Sequence, residues 1–115
     1  MDSDTSLILK AAVLVELNKP LEIMSLRNQP LLPGQVLVKV LYSGVCRSQL
    51  MEVRGLRGED SWLPHLLGHE GSGIVLAKGP GVTKIEVGDE VILTWIKGKG
   101  MEGPGAKYDH EGIVI

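Results

Sequence analysis

Glycine and proline punctuate this chain so often that little room is left for long helices. Fifteen glycines and six prolines stand among 115 residues, and the apolar runs between them are short. Short apolar runs bounded by turn formers favour β-strands. Phe is absent and the aromatics are two Trp and two Tyr, so the core has to be built from Val, Leu, Ile and Met. The length matches one domain able to bury an adequate core. A formal net charge of −2 argues against nucleic acid or an anionic membrane surface as the main partner.

A single cysteine, Cys46, excludes an internal disulfide framework. It also excludes a self-contained zinc site built from four cysteines, or from two cysteines and two histidines. It fits a reducing, cytoplasmic compartment. The segment Met1-Asp2-Ser3-Asp4-Thr5 is acidic and polar, with no basic region and no long apolar run after it, so no signal peptide is expected. No stretch approaches the ~20 apolar residues of a membrane span.

Along the chain, Leu7 to Leu17 reads as a strand, Asn18-Lys19-Pro20 as a turn, and Leu21 to Leu26 as the hairpin partner. Gln35 to Tyr42 is the clearest strand. It sends Val36, Val38 and Val40 to one face and Leu37, Lys39 and Leu41 to the other, so it is expected to be covered on both sides. Ser43-Gly44 ends it, and Ser48 is placed to cap a short helix over Gln49 to Arg54, closed by Gly55. Arg57 to Trp62 reads as a loop. Gly68 to Gly73 is glycine-rich and leads into a strand over Ile74 to Ala77. A tight turn at Val87-Gly88-Asp89-Glu90 opens the strand Val91 to Ile96, with Asp89 and Glu90 read as turn formers. Lys97 to Gly105 is expected to be an exposed loop, and Gly112 to Ile115 a last strand. A chain stopping inside an apolar run suggests a fragment.

The chemistry concentrates between Ser43 and Gly73. Cys46-Arg47-Ser48 lies near one end and Gly68-His69-Glu70 near the other. Thiolate and imidazole are ligands that zinc favours, and an adjacent carboxylate can orient them. On spacing alone, a buried inert cysteine and a core or surface histidine are the plainer reading. The surroundings favour chemistry: Cys46 follows a strand and a glycine at the start of a helix, where amide dipoles favour a thiolate. His69 lies among glycines, which allow close backbone approach. Gly98-Lys99-Gly100-Met101-Glu102-Gly103 matches G-x-G-x-x-G, but Pro104-Gly105 and no amphipathic helix follow, so it reads as a surface loop. His65 and His110 have no metal-type partner at useful spacing and read as surface residues.

These residues resemble the N-terminal, GroES-like part of zinc-dependent medium-chain alcohol dehydrogenases. The resemblance spans roughly residues 9 to 96. It rests on Lys10-Ala11-Ala12-Val13, Gly44-Val45-Cys46-Arg47-Ser48, Leu67-Gly68-His69-Glu70-Gly71-Ser72-Gly73-Ile74-Val75, Gly79-Pro80-Gly81-Val82 and Val87-Gly88-Asp89-Glu90-Val91. It implies a mainly β fold, a GroES-like partly open β-barrel with one or two short helices. Residues 1–8 would be a flexible N-terminus and 9–115 an incomplete GroES-like domain without its Rossmann partner. It also implies that Cys46 and His69 bind a catalytic zinc whose third protein ligand lies beyond Ile115. Ser48 would bond the substrate oxygen and pass on its proton, Arg47 would contact the cofactor pyrophosphate, and Glu70 would stand behind the metal as an orienting carboxylate or transient ligand.

Three positions depart from the family pattern. Gln49 replaces an Asp that orients the zinc-binding histidine; a Gln carbonyl could still accept from the imidazole, without charge. Met51 stands where the horse-liver type has a relay histidine. Lys97 to His110 contains no cysteine, so no structural zinc lobe is expected. The implied function is the N-terminal catalytic-domain portion of an alcohol or polyol dehydrogenase. Such an enzyme would use NAD or NADP on a small alcohol, aldehyde or ketone, be a homo-oligomer at full length, and have no nucleic-acid or membrane partner. The chain alone is expected to be inactive. The alternatives are a zinc-free quinone-oxidoreductase-like relative, or a GroES-like binding or assembly module without catalysis.

Overall fold

A computed structural model describes residues 1–115. The elements run β1 (Ile8–Leu14), β2 (Glu22–Asn28), β3 (Val36–Ser43), α1 (Arg47–Val53), β4 (His65–Leu66), β5 (Glu70–Lys78), β6 (Glu90–Thr94), β7 (Tyr108–His110) and β8 (Ile113–Val114). The expected mainly β composition holds, with one helix. No helix is long and apolar enough to cross a membrane. The chain resolves into two compact units: Met1–Ser6, Gln29–Gly44 and His69–Ala106 form the first, and Leu7–Asn28, Val45–Gly68 and Lys107–Ile115 the second.

The first unit is built on a three-stranded antiparallel sheet in the order β3-β5-β6. In the central strand, β5, the fully or nearly buried residues are Gly73, Val75 and Ala77, the period-two alternation of a strand with one face turned inward. The glycine-rich segment after His69 is therefore strand from Glu70 onward, four residues earlier than the sequence suggested. The cause is close backbone approach. Two register shifts in the β3–β5 ladder bring Lys39 and Val38 so near Gly73 that a Cβ there would fall on the Lys39 carbonyl and 2.5 Å from Val38 Cγ1. The Val87-Gly88-Asp89 turn is fastened to β5 by Val75 N–H donating to Asp89 O at 2.9 Å and Gly88 N–H to Val75 O at 2.8 Å. Asp89 Oδ2 accepts from the Glu86 amide at 2.9 Å, the turn-forming role expected of it.

β3 does not have the two-sided cover expected of it. It is an edge strand, and its second half is exposed, with Val40, Leu41 and Tyr42 all open. The alternation of apolar residues was read correctly, but an edge strand of a three-stranded sheet buries only the part its neighbours reach. Lys97 to Gly105 contains no strand or helix, in keeping with the surface-loop reading. It is held by Lys84 Nζ donating to Lys99 O and by Gln35 Nε2 donating to Pro104 O at 3.0 Å.

The second unit carries a five-stranded sheet in the order β4-β1-β2-β7-β8. β1 and β2 form the expected hairpin, from Ile8 opposite Arg27 to Val13 opposite Glu22. Val13, Leu14 and Leu26 are fully buried and form its core. Asn28 is buried too, and it is satisfied: its Oδ1 accepts the Leu7 amide at 2.7 Å. β4 and β7 were not anticipated. β4 is a two-residue strand on β1, with Val13 opposite Leu66 and Leu14 opposite His65. β7 pairs with the end of β2. Strands this short carry no readable alternation, so their pairing is set by tertiary contact.

Leu26→Ala is expected to destabilise the chain by about 2–5 kcal/mol in urea unfolding, because it deletes a fully buried side chain. Ile92→Ala in β6, where Ile92 is 82% exposed, is expected to cost no more than about 0.5 kcal/mol.

Candidate metal centre

Cys46 and the residues around it lie in the second unit. Cys46 keeps an extended backbone, φ −108° and ψ 150°, and is the residue that caps α1. Ser48, expected in that role, falls inside the first helical turn instead. The reason lies in Gln49. Its amide donates to Cys46 O at 3.0 Å, and its side-chain Oε1 accepts from the Cys46 amide at 2.7 Å. A Gln three residues after the cap reaching back to the cap amide is capping-box geometry, and it fixes the helix start at Cys46. Gln49 is buried, so this bond is shielded from water. The structure thus gives the Gln49 carbonyl to the Cys46 backbone, a bond that the sequence reading did not foresee.

The same turn places Ser48 Oγ 3.4 Å from Cys46 Sγ, with the hydroxyl donating to sulfur. Cys46 is half-buried, whereas Arg47 projects from the first helical position and is exposed. Met51 lies one turn further along α1 and is partly exposed.

His69 and Glu70 lie in the first unit, at the entry to β5. The His69 side chain is about one-third exposed, and Nε2 stands 3.9 Å from Glu70 Oε1, too long for a hydrogen bond. Glu70 is held at both sides: its carbonyl accepts from the Gly44 amide at 3.2 Å, and its register partner on β6 is Thr94. Its side chain lies against Gly44, where a Cβ would come within 2.7 Å of Glu70 Cδ. A side chain at position 44, two residues before Cys46, would push the Glu70 carboxylate out of this place.

A second group of ionisable side chains lies wholly in the second unit and was missed at the sequence level. His65, read as a surface residue, is half-buried in β4. Its Nε2 is 2.6 Å from Asp60 Oδ2 and 3.2 Å from Glu52 Oε2, and Nδ1 donates to Leu66 O at 2.9 Å. No local spacing links a helix residue, a loop residue and a strand residue, so the sequence offered no signal. His110, by contrast, bonds the Ser25 carbonyl through Nδ1 at 2.8 Å. The Asp60 carboxyl is held below its ordinary value of 3.8 by the His65 hydrogen bond and then by the Trp62 amide. Burial pulls the His65 imidazole down, but the Leu66 carbonyl, Asp60 and Glu52 outweigh it and raise it above 6.5.

The signs of these shifts define a pH window. The His65 contribution to stability is complete below pH 6.5 and is lost as pH rises through its raised folded value. The Asp60 contribution is complete above pH 3.8 and is lost as pH falls through its lowered folded value. In chelator-treated buffer, the destabilisation caused by His65→Gln is expected to be largest near about pH 5–6 and to shrink by about pH 9, as read by urea midpoints across that range.

The chain matches the alcohol dehydrogenase GroES-like domain family over residues 32–113. It is 46% identical over 87 residues to alcohol dehydrogenase class-3 of Dictyostelium discoideum, covering 76% of this chain and 23% of that protein. To S-(hydroxymethyl)glutathione dehydrogenase of Synechocystis sp. it is 42% identical over 83 residues, 72% of this chain and 22% of that protein. Among solved structures, benzyl alcohol dehydrogenase from Acinetobacter calcoaceticus superposes with a TM-score of 0.65 at 37% identity, over 75% of this chain and 23% of that one. An alcohol dehydrogenase zinc-binding domain protein from Burkholderia ambifaria gives 0.68 at 32% identity, with the same coverage. The chain thus spans less than a quarter of the length of these relatives. The match takes in Cys46, Ser48, His69 and Glu70, and the mainly β fold is the one its neighbours have. This chain belongs to the alcohol dehydrogenase GroES-like domain family.

Proposed function

We propose that this chain is the N-terminal catalytic-domain portion of a zinc-dependent alcohol or polyol dehydrogenase that transfers hydride to NAD or NADP. The observation that carries the reading is the family match over residues 32–113, which includes both candidate ligands, Cys46 and His69. The donor chemistry suits the metal: a thiolate and an imidazole are ligands that zinc takes in catalytic sites. Bound there, zinc would act as a Lewis acid that lowers the pKa of the substrate alcohol.

The chain's own residues supply the remaining roles. The capping bond from the Cys46 amide to Gln49 fixes the backbone that carries the sulfur. Ser48, whose hydroxyl donates to that sulfur, would instead bond the alcohol oxygen in the complex and pass its proton toward solvent, because Met51 offers no relay group. Arg47, exposed at the first position of α1, would meet the cofactor pyrophosphate with its guanidinium fork. Glu70, packed on Gly44, would orient the metal environment from the entry of β5. The substrate would be a small alcohol, aldehyde or ketone, and the full-length enzyme a homo-oligomer in the cytoplasm.

Two ligands hold zinc less firmly than the three protein ligands usual in catalytic sites. Cys46 and His69 alone are therefore expected to retain little zinc after gel filtration, read on a His65→Gln chain, and the isolated chain to oxidise no alcohol with added NAD or NADP. At saturating Co2+ it should develop a thiolate-to-cobalt charge-transfer band that disappears in Cys46→Ser and weakens in His69→Ala. A cobalt complex without that band would remove Cys46 as a ligand and favour a zinc-free relative or a module without catalysis. Alcohol oxidation by the isolated chain would overturn the expected need for the rest of the enzyme.

A further inference from the structure

Glu52, Asp60 and His65 take no part in the function proposed above, and they do not depend on it. Their geometry poses a problem of charge. Leu66 O can only accept, so the His65 nitrogen facing it, Nδ1, carries a hydrogen. Nε2 then points at one carboxylate oxygen of Asp60, 2.6 Å away, and one of Glu52, 3.2 Å away. If Nε2 carried only its lone pair, three electron-rich atoms would converge with nothing positive among them. Two centres could fill that position: a proton on Nε2, or a metal ion.

We propose that Glu52, Asp60 and His65 form a binding site for a divalent transition-metal ion such as Zn2+, which exchanges with a proton on His65. The three ligand atoms lie within 4.8 Å of one another. A tetrahedral zinc with bonds of about 2.0–2.2 Å spaces its ligand atoms about 3.3–3.6 Å apart, so the two carboxylate oxygens need to draw back from His65 Nε2 by no more than about 1 Å. The imidazole is held as metal-binding imidazoles are, with its far N–H on a backbone carbonyl that fixes tautomer and ring plane. Asp60 is aimed as well. Its Oδ1 accepts from the Trp62 amide at 2.9 Å, which leaves Oδ2 to face His65.

All three residues are half-buried, so the site is neither sealed nor loose on the surface. A cleft of about 250 Å³ adjoins it, lined by Glu52, Arg57, Glu59, Asp60 and Trp62 among others, and gives an ion and its remaining water ligands a way in. Arg57 offsets part of the negative charge there, and Glu59 adds to it. The ligands come from α1, from the loop after it and from β4, so a bound ion would cross-link three elements that no disulfide joins. Because it would bind the folded chain and not the unfolded one, it would also stabilise the fold.

The test uses the full 115-residue chain carrying Cys46→Ser and His69→Gln, which removes the other candidate ligands, and Trp95→Phe, which leaves Trp62 as the only tryptophan reporter. Zn2+ and Co2+ are titrated into chelator-treated protein while Trp62 fluorescence and the thermal midpoint are followed. One equivalent is expected to bind, to change Trp62 emission and to raise the midpoint. Affinity should fall roughly tenfold per pH unit below the His65 titration, because the proton competes for Nε2. His65→Gln and Asp60→Asn should each weaken binding at least about tenfold, with circular dichroism confirming that each variant is folded. Absence of a saturable response in the parent chain would overturn the proposal without any variant. So would equal affinity in a folded His65→Gln chain. Either failure leaves the sulfur-to-cobalt band of the unsubstituted chain as a separate result.

Discussion

The pairing of β3 with β5 is the constraint from which the rest of the first unit follows. It is the long ladder of the molecule, running from Val36 opposite Lys78 to Ser43 opposite Gly71. Where it ends, Gly44 and Glu70 are left facing each other, joined by the amide-to-carbonyl bond and by the Glu70 side chain lying on the glycine. The ladder therefore decides where β3 releases the chain toward Cys46 and where β5 takes it up after His69. Its two register shifts are part of this, since they bring the β3 backbone so near Gly73 that no side chain fits.

In the second unit the comparable constraint is smaller and more local. One buried glutamine sets the start of α1. Without the Gln49 carbonyl on the Cys46 amide, a helix could as well begin at Ser48, a stronger cap by residue type. The bond displaces the start by two residues and makes Cys46 the cap. Sulfur, hydroxyl and glutamine are then presented from a single turn, which is why a change at position 49 has backbone consequences as well as electronic ones.

Much of this was legible in the residues, and the exceptions are instructive. The β1–β2 hairpin, the central strands and the Asp89 turn could be read from alternation and turn chemistry, which are local signals. The cap at Cys46 could not, because residue preference pointed to Ser48 while a side chain three positions on decided otherwise. The bare second half of β3 could not either: a strand with apolar residues on both faces looks the same whether or not anything covers it. His65 was misread for a related reason. Its partners are fixed by how the loop after α1 returns to β1 through a two-residue strand, and two residues carry no periodicity. The candidate ligands Cys46 and His69 were found through family motifs, which no spacing rule would have supplied.

The two units are threaded through each other in sequence. The chain passes from Met1–Ser6 to Leu7–Asn28, to Gln29–Gly44, to Val45–Gly68, to His69–Ala106 and to Lys107–Ile115, changing unit at each step. Neither sheet is made from one continuous stretch, since β4 falls in sequence between β3 and β5 of the first sheet, and β7 and β8 follow all three of its strands. No single cut in the chain yields one unit whole. During synthesis the hairpin of β1 and β2 must wait for residues beyond position 64 to gain its β4 neighbour, and the first sheet cannot close on β6 until that strand has followed. Maturation of either unit is thus tied to the emergence of the other, so a truncation meant to isolate one of them would damage both.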